Sequence, residues 1–127
     1  MLFSVIIPAY NDMLHLSRLL KSLQDAPCND IATILVINDN DDIRDSEYEA
    51  LIKKYTMDVK YYRNEENVGV KKKKKRGISL SETEWISFLD QDDYVTDWYF
   101  KCFIILKESI RFRAATKRTA YTKDKLL

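Results

Sequence analysis

The sequence predicts an α/β domain in which a mostly parallel sheet is flanked by helices. Short apolar runs alternate with amphipathic stretches in the order β-α-β-α-β-α-β-α, the pattern of a parallel sheet with helices on its faces. The second run, Ile31 to Ile37 (IATILVI), is apolar almost throughout, as suits a strand covered on both faces. Polar, acid-rich clusters then fall at the C-terminal ends of the runs, where open parallel sheets bind ligands.

In chain order, Phe3 to Ile7 (FSVII) is a β-prone run closed by Pro8. Asn11 or Asp12 offers an N-cap, and Leu16, Leu19, Leu20 and Leu23 follow at the spacing of one apolar helix face, with Pro27 ending the helix. Beyond strand two lies the acidic stretch Asn38-Asp39-Asn40-Asp41-Asp42. A helix around Arg44 to Tyr55 carries Tyr48, Leu51, Ile52 and Tyr55 on one side, and Met57 to Tyr62 is the third strand. A polar loop, Arg63 to Gly69, leads into the basic run Lys71 to Arg76, which a short helix covers as far as about Leu80. Trp85 to Leu89 (WISFL) is the fourth strand and ends at Asp90-Gln91-Asp92-Asp93. A last helix is expected from Tyr94 to about Arg111, with Val95, Trp98, Cys102, Ile105 and Leu106 as its apolar stripe. The tail Arg113 to Leu127 is basic, shows no sheet pattern and is expected to be frayed or disordered. The expected organisation is one domain over residues 1–110 and a basic tail over 111–127. With only two glycines and two prolines in the chain, the turns must rely on Asn and Asp, which stand where turns are expected (Asn38 to Asp42, Asn64 to Asn67).

At 127 residues the chain is long enough for one compact core. Its formal net charge of +1 means that any electrostatic function resides in local clusters. Cys28 and Cys102 have no metal-ligand spacing and are expected to be free thiols in a reducing cytoplasm. Met1 to Ile7 lacks the basic and long apolar regions of a signal peptide. No apolar run approaches the roughly 20 residues that span a bilayer. The expected location is cytoplasmic, with any membrane contact peripheral and at the inner face.

The sharpest chemical signal is Asp90-Gln91-Asp92-Asp93. Carboxylates this close repel unless donors or a cation sit between them, and their oxygens suit Mg²⁺ or Mn²⁺. A solvated turn, with Asp92 or Asp93 stabilising the start of the next helix, is the competing explanation. The stretch around Asp39 is either an Asx-rich turn or a hydrogen-bonding site for a nucleoside base or ribose. Lys71-Lys72-Lys73-Lys74-Lys75-Arg76 admits three readings: a solvated helix face, a clamp on a diphosphate, or a nonspecific anion binder. No aromatic residues interleave the run, which argues against stacking on single-stranded nucleic acid, and no specific nucleic-acid partner is expected. His15, the only histidine, is expected to be structural or exposed.

These residues together resemble family 2 glycosyltransferases. Ser4-Val5-Ile6-Ile7-Pro8-Ala9-Tyr10-Asn11 followed by a leucine-rich helix is similar to the family's opening, and Ile34-Leu35-Val36-Ile37-Asn38-Asp39 to its strand ending in two aspartates. Asn67-Val68-Gly69 through Phe88-Leu89-Asp90-Gln91-Asp92-Asp93 matches the span from Asn-x-Gly to Leu-Asp-x-Asp-Asp without a gap, with Glu84-Trp85-Ile86 in its expected place. The resemblance covers Phe3 to about Lys107. It implies a GT-A (Rossmann-like) fold and a nucleotide-diphosphate sugar donor, a UDP-sugar first among them. It implies that Pro8, Ala9, Tyr10, Asn11, Asp39, Gly69, Lys74, Asp90 and Gln91 bind the nucleotide-sugar. Asp90 and Asp92 would form the DxD pair that holds a divalent metal, Mn²⁺ or Mg²⁺. Asn38, Asn40-Asp41, Lys74-Lys75 and Thr83 depart from the family's usual residues.

The expected function is sugar transfer to an unidentified acceptor, a sugar or a lipid-linked glycan, in cell-surface polysaccharide or glycan synthesis. The chain is expected to hold the donor-binding half only, so no residue is assigned as catalytic base, and an uncovered sheet edge or face would favour self-association. The alternatives are a non-catalytic nucleotide-sugar-binding remnant and an anion-binding module built on the lysine run.

Overall fold

A computed structural model describes residues 3–25, 30–67, 69–96 and 120–122. The elements are β1 (Phe3–Ala9), α1 (Met13–Asp25), β2 (Ile31–Asn38), α2 (Asp45–Ile52), β3 (Val59–Arg63), α3 (Gly69–Leu80), β4 (Trp85–Phe88) and β5 (Ala120–Thr122). Pro27, Cys28, the expected helix beyond residue 96 with Cys102, and the rest of the tail including Asp124 lie outside the described residues.

The sheet runs in the order β3-β2-β1-β4-β5. β1 pairs in parallel with β2 and β4, and β2 with β3, whereas β5 runs antiparallel to β4. Four parallel strands therefore form the body of the sheet, and three tail residues add an edge strand that the tail's composition does not announce. The chain builds outward from β1 to β3, then returns to the other side of β1 for β4. That reversal makes the C-terminal ends of β1 and β4 a topological switch point, where open α/β sheets place their ligands.

Pro8 does not close β1, which continues to Ala9. The Ile6 carbonyl accepts from Leu89 N–H and the Ala9 carbonyl from Asp39 N–H. Even-numbered residues of β1 thus face β4 and odd-numbered ones face β2. Pro8 faces the β4 side beyond Ile6↔Phe88, the last paired position, so its missing N–H costs no ladder bond.

The alternation of β1 sorts the core into two faces. Phe3, Val5, Ile7 and Ala9 pack with Leu16, Leu19, Leu20 and Leu23 of α1 and with Tyr48 and Leu51 of α2. Ile6 joins Leu35, Ile37, Ile78 and Ile86 on the opposite face, where α3 lies. The four α1 leucines stand on one helix face, and burying each contributes about 1.5–3 kcal/mol. Asp12 immediately precedes α1 and caps it: its Oδ1 accepts the His15 N–H at 3.1 Å and its Oδ2 meets the half-exposed His15 ring at 2.6 Å. The lone histidine is accordingly part of a helix start.

α3 is a poor helix on composition, since Lys71 and Lys75 repel across one turn. Its inner face holds it in place. Gly77 lies so close to β1 that a Cβ there would stand 2.5 Å from Ile6 Cγ2. The obstruction is a branch carbon of a fully buried side chain, so it does not move cheaply. Gly77→Ala is therefore expected to destabilise the fold by about 1–3 kcal/mol despite alanine's better helix propensity. Chemical denaturation would detect this as a lowered midpoint, and an unchanged or raised midpoint would contradict the close approach.

Candidate functional site

The loops after β1, β2 and β4 meet at the switch point, and specific hydrogen bonds set their spacing. Gln91 bridges the gap where β4 has ended. Its Oε1 accepts the Tyr10 N–H at 2.7 Å and its Nε2 donates to the Tyr10 carbonyl at 2.9 Å. A side-chain amide thus serves as an extra rung between β1 and the acidic loop. Tyr10 keeps its ring 42% exposed beside this rung. Asn11 and Asn40 take left-handed backbone angles (φ 48° and 58°), which Asn tolerates better than most residues. The Asn11 Oδ1 accepts the Asp42 N–H at 3.0 Å, tying the β1 loop to the β2 loop.

Asp41 is the buried hub of the β2 loop. Its Oδ2 accepts the Asn11 N–H at 2.7 Å and the Tyr48 hydroxyl, and its Oδ1 accepts the Ile43 N–H at 2.9 Å and the Asn38 amide at 3.2 Å. Arg63 braces the loop by donating to the Asn40 side chain and to the Asp41 and Ile43 carbonyls, while its Nε meets Asp45 at 2.7 Å. Tyr48 and Tyr61 stack at 4.8 Å between ring centroids. Burial, then the bond to Asp41, raises the Tyr48 hydroxyl well above the usual range. Burial pushes Tyr61 up to about 12. Both therefore remain neutral donors at physiological pH: Tyr48 to Asp41, and Tyr61 to Asp45 at 2.6 Å.

Asp39, one residue past β2, is 2% exposed. Its Oδ2 accepts the Gly69 N–H at 2.9 Å and its Oδ1 accepts the Asn64 amide at 3.3 Å. A carboxylate at the first residue of α3 stabilises the positive end of that helix. Lys73, one turn further on, is 4% exposed and brings its Nζ to 3.9 Å from Asp39 Oδ2 and 5.8 Å from the Tyr10 ring centroid. Burial lowers its pKa, opposed by the charges of Asp39 and Asp41. Arg76 closes this side by donating to the Arg63 carbonyl at 3.0 Å and to the Asn64 side chain.

On the other side of β1, the turn Asp90 to Asp93 is held by the Asp93 N–H on the Asp90 carbonyl at 2.9 Å and the Asp90 N–H on Asp93 Oδ2 at 3.1 Å. Arg18 of α1 donates to the Asp92 carbonyl at 3.2 Å, and Ser22 Oγ accepts the Val95 N–H at 3.0 Å. Ligand atoms of Asp90, Asp92 and Asp93 all lie within 4.8 Å of one another. Hard oxygen donors at this spacing fit a divalent cation.

The residues singled out in the sequence thus converge on one end of the sheet. Pro8 and Ala9 are buried in the last turns of β1, while Tyr10 and Asn11 are exposed beyond it. Asp39 and Gly69 meet on the β2 side, and Asp90, Gln91 and Asp92 stand on the β4 side. Lys74 is half-buried, and its ammonium lies 5.3 Å from the Phe88 ring. The lysine that meets Asp39 is Lys73, which the sequence reading does not single out. The available signal is its spacing: Gly69, Lys73 and Gly77 recur every four residues, so Lys73 shares the inward face of α3.

Comparison with known proteins defines the class. The model of Glycosyl transferase family 2 matches residues 4–104, and the chain belongs to that family. GgaB, a minor teichoic acid biosynthesis protein of Bacillus subtilis, is 33% identical over 101 residues, which cover 78% of this chain and 11% of GgaB. TarS, the poly(ribitol-phosphate) β-N-acetylglucosaminyltransferase of Staphylococcus aureus, is 32% identical over 100 residues, covering 75% of this chain and 17% of TarS. The crystal structure of TarS residues 1–349 in complex with UDP-GlcNAc superposes with a TM-score of 0.71 at 27% identity, over 86% of this chain and 32% of that one. The chain thus spans under a third of the length of these proteins, and its sheet has the GT-A arrangement.

Two outcomes test the loop network. Asp41→Ala removes the acceptor for several buried donors and should destabilise the protein by about 3–5 kcal/mol, measured by denaturant unfolding. Asp45 is held below the ordinary carboxylate range by its bonds to Tyr61 and Arg63. A depressed carboxylate contributes stability that is present above about pH 4 and lost as pH falls through the folded value. Thermal melts between pH 7 and pH 3 should accordingly show a shallower acid loss for Asp45→Asn than for wild type. The pair is exposed, so the difference should be small, and a steeper loss would refute the assignment.

Proposed function

We propose that this chain binds the nucleoside-diphosphate part of a sugar donor, a UDP-sugar, at the C-terminal ends of its parallel strands. It would serve as the donor half of a glycosyltransferase that builds a cell-surface glycopolymer. The observation that carries this reading is the carboxylate cluster of Asp90, Asp92 and Asp93 on the far side of the switch point from Asp39, with the exposed Tyr10 ring between. A cation site for the diphosphate and a hydrogen-bonding site for the nucleoside are what a nucleotide-sugar requires. Membership of the family and likeness to a structure that holds UDP-GlcNAc support it.

In this reading Asp90 and Asp92 hold a divalent cation, and Asp93 steadies their turn. When bound, the cation neutralises charge on the departing diphosphate. Gln91 keeps the acidic loop at a set distance from Tyr10, and Asn11 and Gly69 shape the pocket wall. Lys74 adds positive charge on the phosphate side of α3. The names of GgaB and TarS support a polymer of the teichoic acid type as the product. The acceptor and the base that activates it belong to the remainder of such an enzyme.

Calorimetric titration with UDP, with and without Mn²⁺, tests the proposal. Binding should require the metal, and Asp92→Ala should weaken it by roughly tenfold or more. Equal affinity with and without Mn²⁺, or wild-type affinity in Asp92→Ala, would overturn the metal-diphosphate reading.

A further inference from the structure

β1 and β4 stop pairing before they reach the site. Their last paired position is Ile6↔Phe88, followed by the bond from the Leu89 N–H to the Ile6 carbonyl. Pro8 has no N–H with which to continue the ladder. The half-buried side chain of Gln91 crosses the gap that follows. Its amide accepts the Tyr10 N–H at 2.7 Å and donates to the Tyr10 carbonyl at 2.9 Å. Two facing residues of an antiparallel ladder exchange both bonds in this way, and here a side chain does so against a backbone. Both backbone groups of Tyr10 are thereby engaged, and what Tyr10 presents outward is its exposed ring.

The residues on either side of Tyr10 are tied in the opposite direction. The Ala9 carbonyl accepts from the Asp39 N–H, and Asn11 bonds to Asp41 and Asp42. The β1 and β2 loops therefore form one side of the cleft, and Gln91 joins the acidic turn to it. The bonds of Arg18 to the Asp92 carbonyl and of Ser22 to the Val95 N–H anchor the turn to α1 instead. A ligand with one end on each side must match the width of the gap. Joining two binding ends in one molecule gains most when the joint spans the two sites without strain.

We propose that Gln91 is a positioning residue whose amide sets this width, so that the two ends of a nucleoside diphosphate are held at once. The inference rests on the donor reading above. It goes further by assigning to Gln91 the gain in affinity of the joined ligand over its separate halves. Loss of the amide should therefore weaken the joined ligand and spare each half. Gln91→Met keeps the length and removes both bonds. Gln91→Asn keeps the amide one methylene short, so its bonds form only if the gap narrows.

The test is calorimetry of the full 127-residue chain with Mn²⁺, by direct titration with UDP and by displacement with uridine and with inorganic pyrophosphate. Gln91→Met should weaken UDP binding roughly tenfold and leave uridine and pyrophosphate within about twofold of wild type. Gln91→Asn should show the same split, and it carries the test if circular dichroism shows Gln91→Met to be unfolded. In protein free of metal and nucleotide, hydrogen exchange followed by NMR should be faster at the Tyr10 amide in Gln91→Met than in wild type. Unchanged UDP affinity in the variants overturns the inference. So does an equal loss for uridine or for pyrophosphate, which would make Gln91 part of that half's own site, and so does unaltered exchange at Tyr10. Each of these results leaves the donor reading standing. Failure of wild type to bind UDP would instead remove the donor reading itself, and this inference with it.

Discussion

A carboxylate withdrawn from water persists only when its lone pairs are engaged, and Asp41 satisfies this with groups from separate parts of the chain. The backbone of the β1 loop, the side chain that ends β2, the backbone leading into α2 and the Tyr48 hydroxyl of α2 all converge on it. Each donor would bear a desolvation cost if the acid were absent. The loops after β1 and β2 are therefore held together by mutual need, and they supply Asn11, Tyr10 and Asp39 to the site. Arg63 reinforces the arrangement from β3, and its carbonyl in turn accepts from Arg76 of α3. Each polar group that shapes the cleft on this side also satisfies another.

The two sides of β1 differ in how they carry charge. On the β2 side, Asp39 is buried against a helix N-terminus and a buried lysine, so its charge is answered from within the protein. On the β4 side, Asp90 and Asp92 are exposed, and their charges are answered by water or by what binds there. One end of the site is thus preorganised for hydrogen-bond geometry, and the other is open to ions. Gln91 connects them, because the amide that holds the Tyr10 backbone is flanked in sequence by the exposed acids.

Element types and their order were legible because the apolar periodicity in this chain is strong. The four leucines of α1 and the unbroken run of β2 leave few alternatives, and the family motifs bring the polar clusters to one end of the sheet. Boundaries set by pairing were less legible. Pro8 looks like a stop in isolation, yet it lies inside β1 because the neighbouring strand on its N–H side has already ended. Ala120–Thr122 carry no strong alternation and form a strand only because β4 offers an open edge. Within the site, Lys73 and Lys74 are indistinguishable as letters in a run. The rotation of α3, set by where Gly77 meets Ile6, decides which of them faces Asp39. Asp41 was equally hidden among its acidic neighbours, since its burial depends on Tyr48 and Asn11, 7 and 30 residues away.

The contact between Gly77 and Ile6 lies one helical turn beyond Lys73 on the same face of α3. The separation of helix and sheet at that contact therefore governs how deeply the lysine head is seated against Asp39. Any residue larger than glycine would lift the helix and withdraw the charge, as a shim under one end of a lever displaces the other. A position that touches neither charge becomes a calibration point for their separation. The bulk of two residues in the sheet-helix seam thus sets the depth of a charge that neither of them touches.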